Sequence, residues 1–267
     1  MRLLFLFFLT LFSCAAPAPK HQKPRVLTST PTYQYFVERI GDNLIEAHSI
    51  VPPGVDSHSF EPTPKQRASL AEGILWFQIG ECFERSLTGI SPQTKRINLC
   101  EGIENSSDRH FWMSPRLAMH QVSLITKALS KEFPEHKEKF EANEQILLKE
   151  LAALDTELKE SLASTKNRTL LVSHPSFGYF CRDYSFEQLS VEQEGKDPRP
   201  KHLEALLKDS EKKQDRLVLI ALPQHNNKGL YVIANRLHLP VKEIDPYTHD
   251  YFSMMHTLSE WVSHERD

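Results

Sequence analysis

The stretch that decides the fold is PEHKEKFEANEQILLKELAALDTELKESLAS, Pro134–Ser164. After its first residue it contains no proline, it has no glycine, and Glu, Lys, Leu and Ala dominate it. Phe140, Ile146, Leu147, Leu151, Leu154 and Leu158 recur at helical spacing and mark one apolar stripe. A helix of about 28 residues is about 40 Å long, enough to cross a two-lobed protein from end to end. The stripe lacks sustained heptads, so a connecting helix is preferred to a coiled-coil dimer.

On both sides of this stretch short β-like runs alternate with helical patterns, which predicts α/β units around mainly parallel sheets. In the first half the expected strands are Arg25–Thr28, Ala47–Val51, Ile74–Ile79 and Arg96–Leu99. Helices are expected at Thr32–Ile40, Thr63–Ala71 and from Pro115 to Phe133. In the second half the strands are Arg168–Val172, Phe186–Val191, Arg216–Ala221 and Val241–Ile244, with helices at Lys201–Ser210 and Lys228–Leu237. The expected organisation is an N-terminal α/β lobe over 25–133, a connecting helix over 134–164 and a C-terminal α/β lobe over 165–267.

The amino terminus reads as an address. Arg2 precedes an apolar run from Leu3 to Phe12, too short for the ~20 residues of a membrane span and suited to a secretory signal peptide over 1–13. Leu11-Phe12-Ser13-Cys14 resembles a lipobox, which would make Cys14 a lipidated first residue. Phe12 is bulky for its place, so ordinary cleavage near Ala15-Ala16 is the alternative. Residues 14–24 then form a Pro/Ala/Lys tether. The expected setting is extracytoplasmic, periplasmic or cell-envelope, with a lipid anchor. Three further cysteines, Cys82, Cys100 and Cys181, form no C-x-x-C pair. A Cys82–Cys100 bridge stands against a reading of all three as small buried hydrophobes.

Composition excludes several function classes. The 32 Lys+Arg nearly balance the 35 Asp+Glu of the 267 residues, for a net charge of −3, so the basic excess of a nucleic-acid binder is missing. With only 9 glycines there is no G-x-G-x-x-G, no P-loop and no G-x-S-x-G, which removes the dinucleotide, nucleotide and serine-hydrolase readings. The 13 histidines are the unusual count.

Three of them fall on loops or strand ends. His58 lies in Gly54-Val55-Asp56-Ser57-His58-Ser59-Phe60-Glu61-Pro62, leaving a predicted strand. His110 lies in Asp108-Arg109-His110-Phe111-Trp112-Met113-Ser114-Pro115, before a helix-starting proline. His174 directly follows a predicted strand, in His174-Pro175-Ser176-Phe177-Gly178-Tyr179-Phe180. Asp245, ahead of Pro246, ends another strand. Ligands of open α/β sheets gather at the carboxyl ends of strands, and imidazole with carboxylate suits zinc. Two such residues from each lobe suggest a metal site between the lobes.

These segments resemble the signatures of the periplasmic and lipoprotein solute-binding proteins of zinc- and manganese-importing ABC transporters (metal-binding cluster A-I, zinc-uptake type). The resemblance covers residue 25 to the end and rests on the three histidine motifs and the closing Asp245-Pro246, with Tyr251 and Met254-Met255 downstream. Arg109, Met113 and Ser114 depart from the second signature. The resemblance implies two α/β lobes joined by one long rigid helix, with a transported Zn2+, or Mn2+, held in the cleft by His58, His110, His174 and Asp245. It further implies a monomeric capture protein that delivers metal to an ABC permease and its ATPase, and not an enzyme. The family's Glu-Pro-Gln is here Leu222-Pro223-Gln224-His225, so His225 either lines the cleft or contacts solvent. His249, four residues after Asp245, is a candidate support for the site, and the remaining histidines are read as ordinary. A histidine where manganese-selective members carry Glu leans the choice toward zinc. The alternative is an exported zinc hydrolase, which needs an activated water and a general base.

Overall fold

The computed structural model describes residues 23–263, apart from 88–91, 104–107, 166, 194–195 and 197. The expected signal peptide, Cys14 and the expected tether as far as residue 22 lie outside the described residues.

Four parallel strands form each of two sheets. The first contains β1 (Arg25–Thr28), β2 (Glu46–Ser49), β3 (Leu75–Gln78) and β4 (Lys95–Asn98) in the order β2-β1-β3-β4. The second contains β5 (Thr169–Val172), β6 (Glu187–Ser190), β7 (Leu217–Ala221) and β8 (Val241–Glu243) in the corresponding order β6-β5-β7-β8. Central β5 and β7 are buried along their whole length, as their continuous apolar runs demand when helices cover both faces. At the edges, β2 and β4 carry polar residues such as Glu46, His48, Lys95 and Asn98.

The helices are α1 (Pro31–Gly41), α2 (Pro64–Leu70), α3 (Cys82–Ser86), α4 (Pro115–Glu132), α5 (Lys137–Ser161), α6 (Gly178–Tyr184), α7 (Pro200–Lys212), α8 (Lys228–Leu237) and α9 (Tyr251–Ser263). Proline opens α1, α2, α4 and α7, where its missing N–H costs no helical bond. The connecting helix is shorter than its pattern suggested. Pro134–His136 form a separate 3-10 turn, closed by the His136 N–H on the Phe133 carbonyl at 3.0 Å, and α5 begins only at Lys137. Its 25 residues span about 38 Å. Ile146 departs from the expected stripe and stays 54% exposed. The rest of the stripe is buried with α1, α4 and α9 in one core that continues from the first sheet into the second. The two halves are therefore joined by close packing as well as by the chain, an arrangement that resists hinge motion.

Helix α9 was not expected from the pattern; it buries Tyr251, Met254, Met255, Leu258 and Val262 in that shared core. The open Cys82–Cys100 pairing is not formed. Cys82 and Cys100 are free thiols, and Cys100 Sγ donates to the Ile79 carbonyl at 3.0 Å. Among the described residues no helix is long and apolar enough to cross a membrane.

Candidate metal centre

The carboxyl ends of both sheets supply the site. His58 stands on the loop after β2, Glu81 just after β3, and His110 between β4 and α4. From the second sheet come His174 after β5, Glu192 after β6, His225 after β7, and Asp245 and Tyr247 after β8. Local structure fixes each loop. Asp56 accepts from the His58 N–H at 2.9 Å and from Ser59 Oγ at 2.7 Å, pinning the first turn. Trp112 donates from Nε1 to the Pro246 carbonyl at 2.7 Å, tying the second histidine motif to the closing Asp-Pro. Gly178 opens α6 against Asp108, whose Oδ2 would lie 2.6 Å from an added Cβ. Only glycine leaves room for that approach.

His58, His110 and His174 converge, each offering a ring nitrogen within 4.8 Å of the others. His58 Nε2 and His174 Nε2 are 3.1 Å apart, close to the roughly 3.3 Å between two nitrogens on one tetrahedral zinc. Behind each ring stands a carboxylate. Nδ1 of His58 lies 3.0 Å from Glu81 Oε2, Nδ1 of His110 lies 2.7 Å from Asp108 Oδ1, and Nδ1 of His174 lies 2.7 Å from Glu192 Oε2. Carboxylates accept only, so each neutral ring carries its proton on Nδ1 and turns the Nε2 lone pair inward. Across the site, Tyr247 Oη lies 2.7 Å from His110 Nε2 and 3.3 Å from His58 Nε2. One hydroxyl proton cannot serve both acceptors. The cluster is short of positive charge.

The protonation equilibria carry the same signature. Burial works to lower the His58 pKa, but the hydrogen bond and charge of Glu81 outweigh it and raise the value. His174 is pushed down to about 4, first by burial and further by His110 and His225, against the hydrogen bond to Glu192. Burial acts to raise Glu81, Asp108 and Glu192, yet the histidine each one faces holds it below the ordinary carboxylate range.

The structure does not bring Asp245 into this group. Its Oδ1 accepts the Tyr247 N–H at 2.8 Å, closing a local turn that delivers the Tyr247 hydroxyl to the rings. His225 lines the cleft, its ring stacked on His174 at 4.1 Å with 10° between planes. His249 does not support the site: its Nε2 pairs with exposed Glu38 at 2.7 Å, because the turn after Asp245 points it at α1. The three carboxylates escaped the sequence reading, although Glu81 and Glu192 follow strands as the histidines do and Asp108 lies two residues before His110.

The sequence matches the family profile described as "Zinc-uptake complex component A periplasmic" over residues 26–262. The chain belongs to this zinc-uptake component A family. It is similar to a putative metal-binding protein of Chlamydia trachomatis, 31% identical over 95% of this chain and 96% of that one. It is also similar to the iron-binding protein YfeA of Yersinia pestis, 29% identical over 76% of this chain and 73% of the relative. Among solved structures, the fold superposes on one described as the crystal structure of ZnuA with a TM-score of 0.86 and 29% identity, covering 92% of this chain and all of the other. As a family member the chain is a metal-binding solute-binding protein of a zinc-uptake system, α/β and two-lobed, and extracytoplasmic like its relatives. Nothing in the family match supports the hydrolase alternative.

Proposed function

We propose that this protein captures a divalent transition metal, zinc in preference to manganese or iron, between its two sheets and hands it to an ABC permease. His58, His110 and His174 are the proposed nitrogen donors. The observation that carries the reading is the convergence of three Nε2 atoms whose Nδ1 partners are all carboxylates. Three negative charges behind three imidazoles orient the rings and raise their basicity toward a cation. Asp245 is the proposed oxygen donor, reached when the Tyr247 hydroxyl withdraws from the rings. Nitrogen-rich sites of this type favour zinc over manganese by the Irving–Williams order, and manganese prefers oxygen. The protein acts as a carrier and not as an enzyme, as a monomer held to the membrane through Cys14. Equilibrium dialysis of zinc tests the donor set: His110→Ala lowers affinity by at least about a hundredfold if His110 is a ligand. Unchanged affinity in that variant removes the assignment. Competition among zinc, manganese and ferrous iron at buffered free-ion levels tests the preference.

A further inference from the structure

Beside the three-histidine cluster lies an open cavity of about 180 Å³, bordered by Asp56, Glu192, Lys196, Gln224 and His225. His225 is held there by its turn. Asn227 Nδ2 donates to the carbonyls of Leu222 at 2.9 Å and His225 at 3.1 Å, and the His225 N–H reaches the Leu222 carbonyl at 3.1 Å. Its side chain is only 7% exposed. Nδ1 of His225 stands 3.4 Å from Glu192 Oε2, the oxygen that also accepts from His174 Nδ1. With Nδ1 facing Glu192, Nε2 is the nitrogen left open, and that buried atom has no hydrogen-bond partner. Leaving such a group unpaired costs about 1–3 kcal/mol. Both polar atoms of the neighbouring Gln224 amide are likewise buried without partners. Nε2 of His225 lies 4.0 Å from Asp56 Oδ1. That is too far for a hydrogen bond and a little wider than the roughly 3.3 Å between two donors on one tetrahedral zinc, so a shift of about half an ångström by the Asp56 side chain lets one cation bond to both.

We propose that His225 Nε2 and Asp56 Oδ1, at the wall of this cavity, form a second, weaker station for a borderline divalent cation such as Zn2+, on the path from solvent to the three histidines. Only the direction of transfer rests on the function proposed above; the station itself rests on His225 and Asp56. The ring of His225 lies stacked on that of His174, and the two share one carboxylate oxygen. Two dications that close repel strongly, so the two sites are not occupied together, and a cation held at the weaker station moves on when the inner site is free. Asp56 also anchors the turn that carries His58, which ties the oxygen of the station to one donor of the inner site.

The test separates the stations. In a His58→Ala/His110→Ala variant, calorimetric titration with zinc alone gives one equivalent of weak, micromolar binding. Adding His225→Ala or Asp56→Asn weakens that event by at least about tenfold. Asp56→Asn keeps the oxygen acceptor of the turn, and circular dichroism on each variant checks the fold. In the otherwise native chain, Asp56→Asn slows stopped-flow zinc uptake at least threefold. Weak binding that survives both added substitutions, or none in the starting variant, overturns the station. An uptake rate unchanged by Asp56→Asn overturns its place on the path. Wild-type affinity in the His58→Ala/His110→Ala variant would instead remove the three-histidine assignment, a separately readable result.

Discussion

Replacing Glu81 by Gln tests the electrostatic logic of the site without touching a proposed ligand. Glu81 is 2% exposed, with Oε2 3.0 Å from His58 Nδ1 and Oε1 accepting from Ser57 Oγ at 3.2 Å. Glutamine retains the shape and one acceptor and removes the charge. Loss of an outer carboxylate behind a metal-bound imidazole weakens metal affinity about 10- to 100-fold, or about 1.4–2.7 kcal/mol. That loss is expected near pH 7.5, where His58 competes least with a proton. Acid changes the comparison. Burial lowers the native His58 pKa but Glu81 overcomes it and sets a net rise, so as pH falls the proton competes with metal earlier than at an ordinary histidine near ~6.5. Without the carboxylate the His58 pKa drops, and that competition starts at lower pH. The affinity gap between native protein and Glu81→Gln therefore narrows from pH 7.5 to 5.5. Zinc dissociation constants measured against a chromophoric chelator at several pH values read this directly. A gap below twofold at pH 7.5, or one that widens on acidification, refutes the argument.

Three other outcomes are expected. In metal-depleted protein His174 has its folded pKa lowered to about 4, so between roughly pH 6.5 and 4 the unfolded chain takes a proton that the folded chain refuses. Stability falls through that window by about 3 kcal/mol from this group; His174→Gln lacks the contribution, so the native-minus-variant difference measured by urea unfolding drops by about that amount from roughly pH 6.5 to 4. Leu151→Ala, at a fully buried position of α5 in the core shared by both sheets, costs about 2–5 kcal/mol, read as one cooperative loss in calorimetry; two separated transitions would contradict the continuous core. Burial first, with nearby charges, holds Cys100 up at about 11 and Cys181 at about 12. At pH 8 a thiol reagent on a Cys14→Ser chain should therefore show one fast-reacting thiol among the described cysteines, exposed Cys82, and adding Cys82→Ser should abolish the fast phase.

The parallel α/β rhythm was legible because it depends on local patterns. All eight expected strands are found within one or two residues of their predicted ends, and the punctuating prolines mark four helix starts. Helix α5 was legible as a stripe, but its beginning was not, because Pro134 and His136 fit a helix and a 3-10 turn equally well until the turn closes on Phe133. Helix α9 was legible in principle and was passed over: Tyr251, Met254, Met255, Leu258 and Val262 recur at helical spacing opposite exposed Ser253, His256 and Glu260. The three convergent histidines were legible from their position after strand ends. Tyr247 was not, since a tyrosine two residues beyond an aspartate reads as core until its hydroxyl is seen 2.7 Å from His110. His249 misled for the opposite reason: closeness along the chain to Asp245 carries no information about direction once a turn intervenes.

The carboxylates explain why counting histidines alone understates the site. Glu81, Asp108 and Glu192 place three formal negative charges directly behind three rings at 2.7–3.0 Å, while the chain as a whole carries a net of only −3. Those charges stay ionised despite burial because each accepts an imidazole N–H. Together with the inward lone pairs they create a local demand for a cation that surface charge does not advertise. Each lobe contributes to that demand, with Glu81 and Asp108 from the first and Glu192 from the second, so a bound dication offsets charge from both lobes at once. Metal should accordingly stiffen the contact between them, by no more than its difference in affinity for the closed and loosened arrangements. With one core already running through α1, α4, α5 and α9, that stiffening must fall on the loops at the strand ends. Amide hydrogen exchange should accordingly slow on zinc binding in the turn carrying His58 and in the segment from Asp245 to Tyr247, while α5 is unaffected.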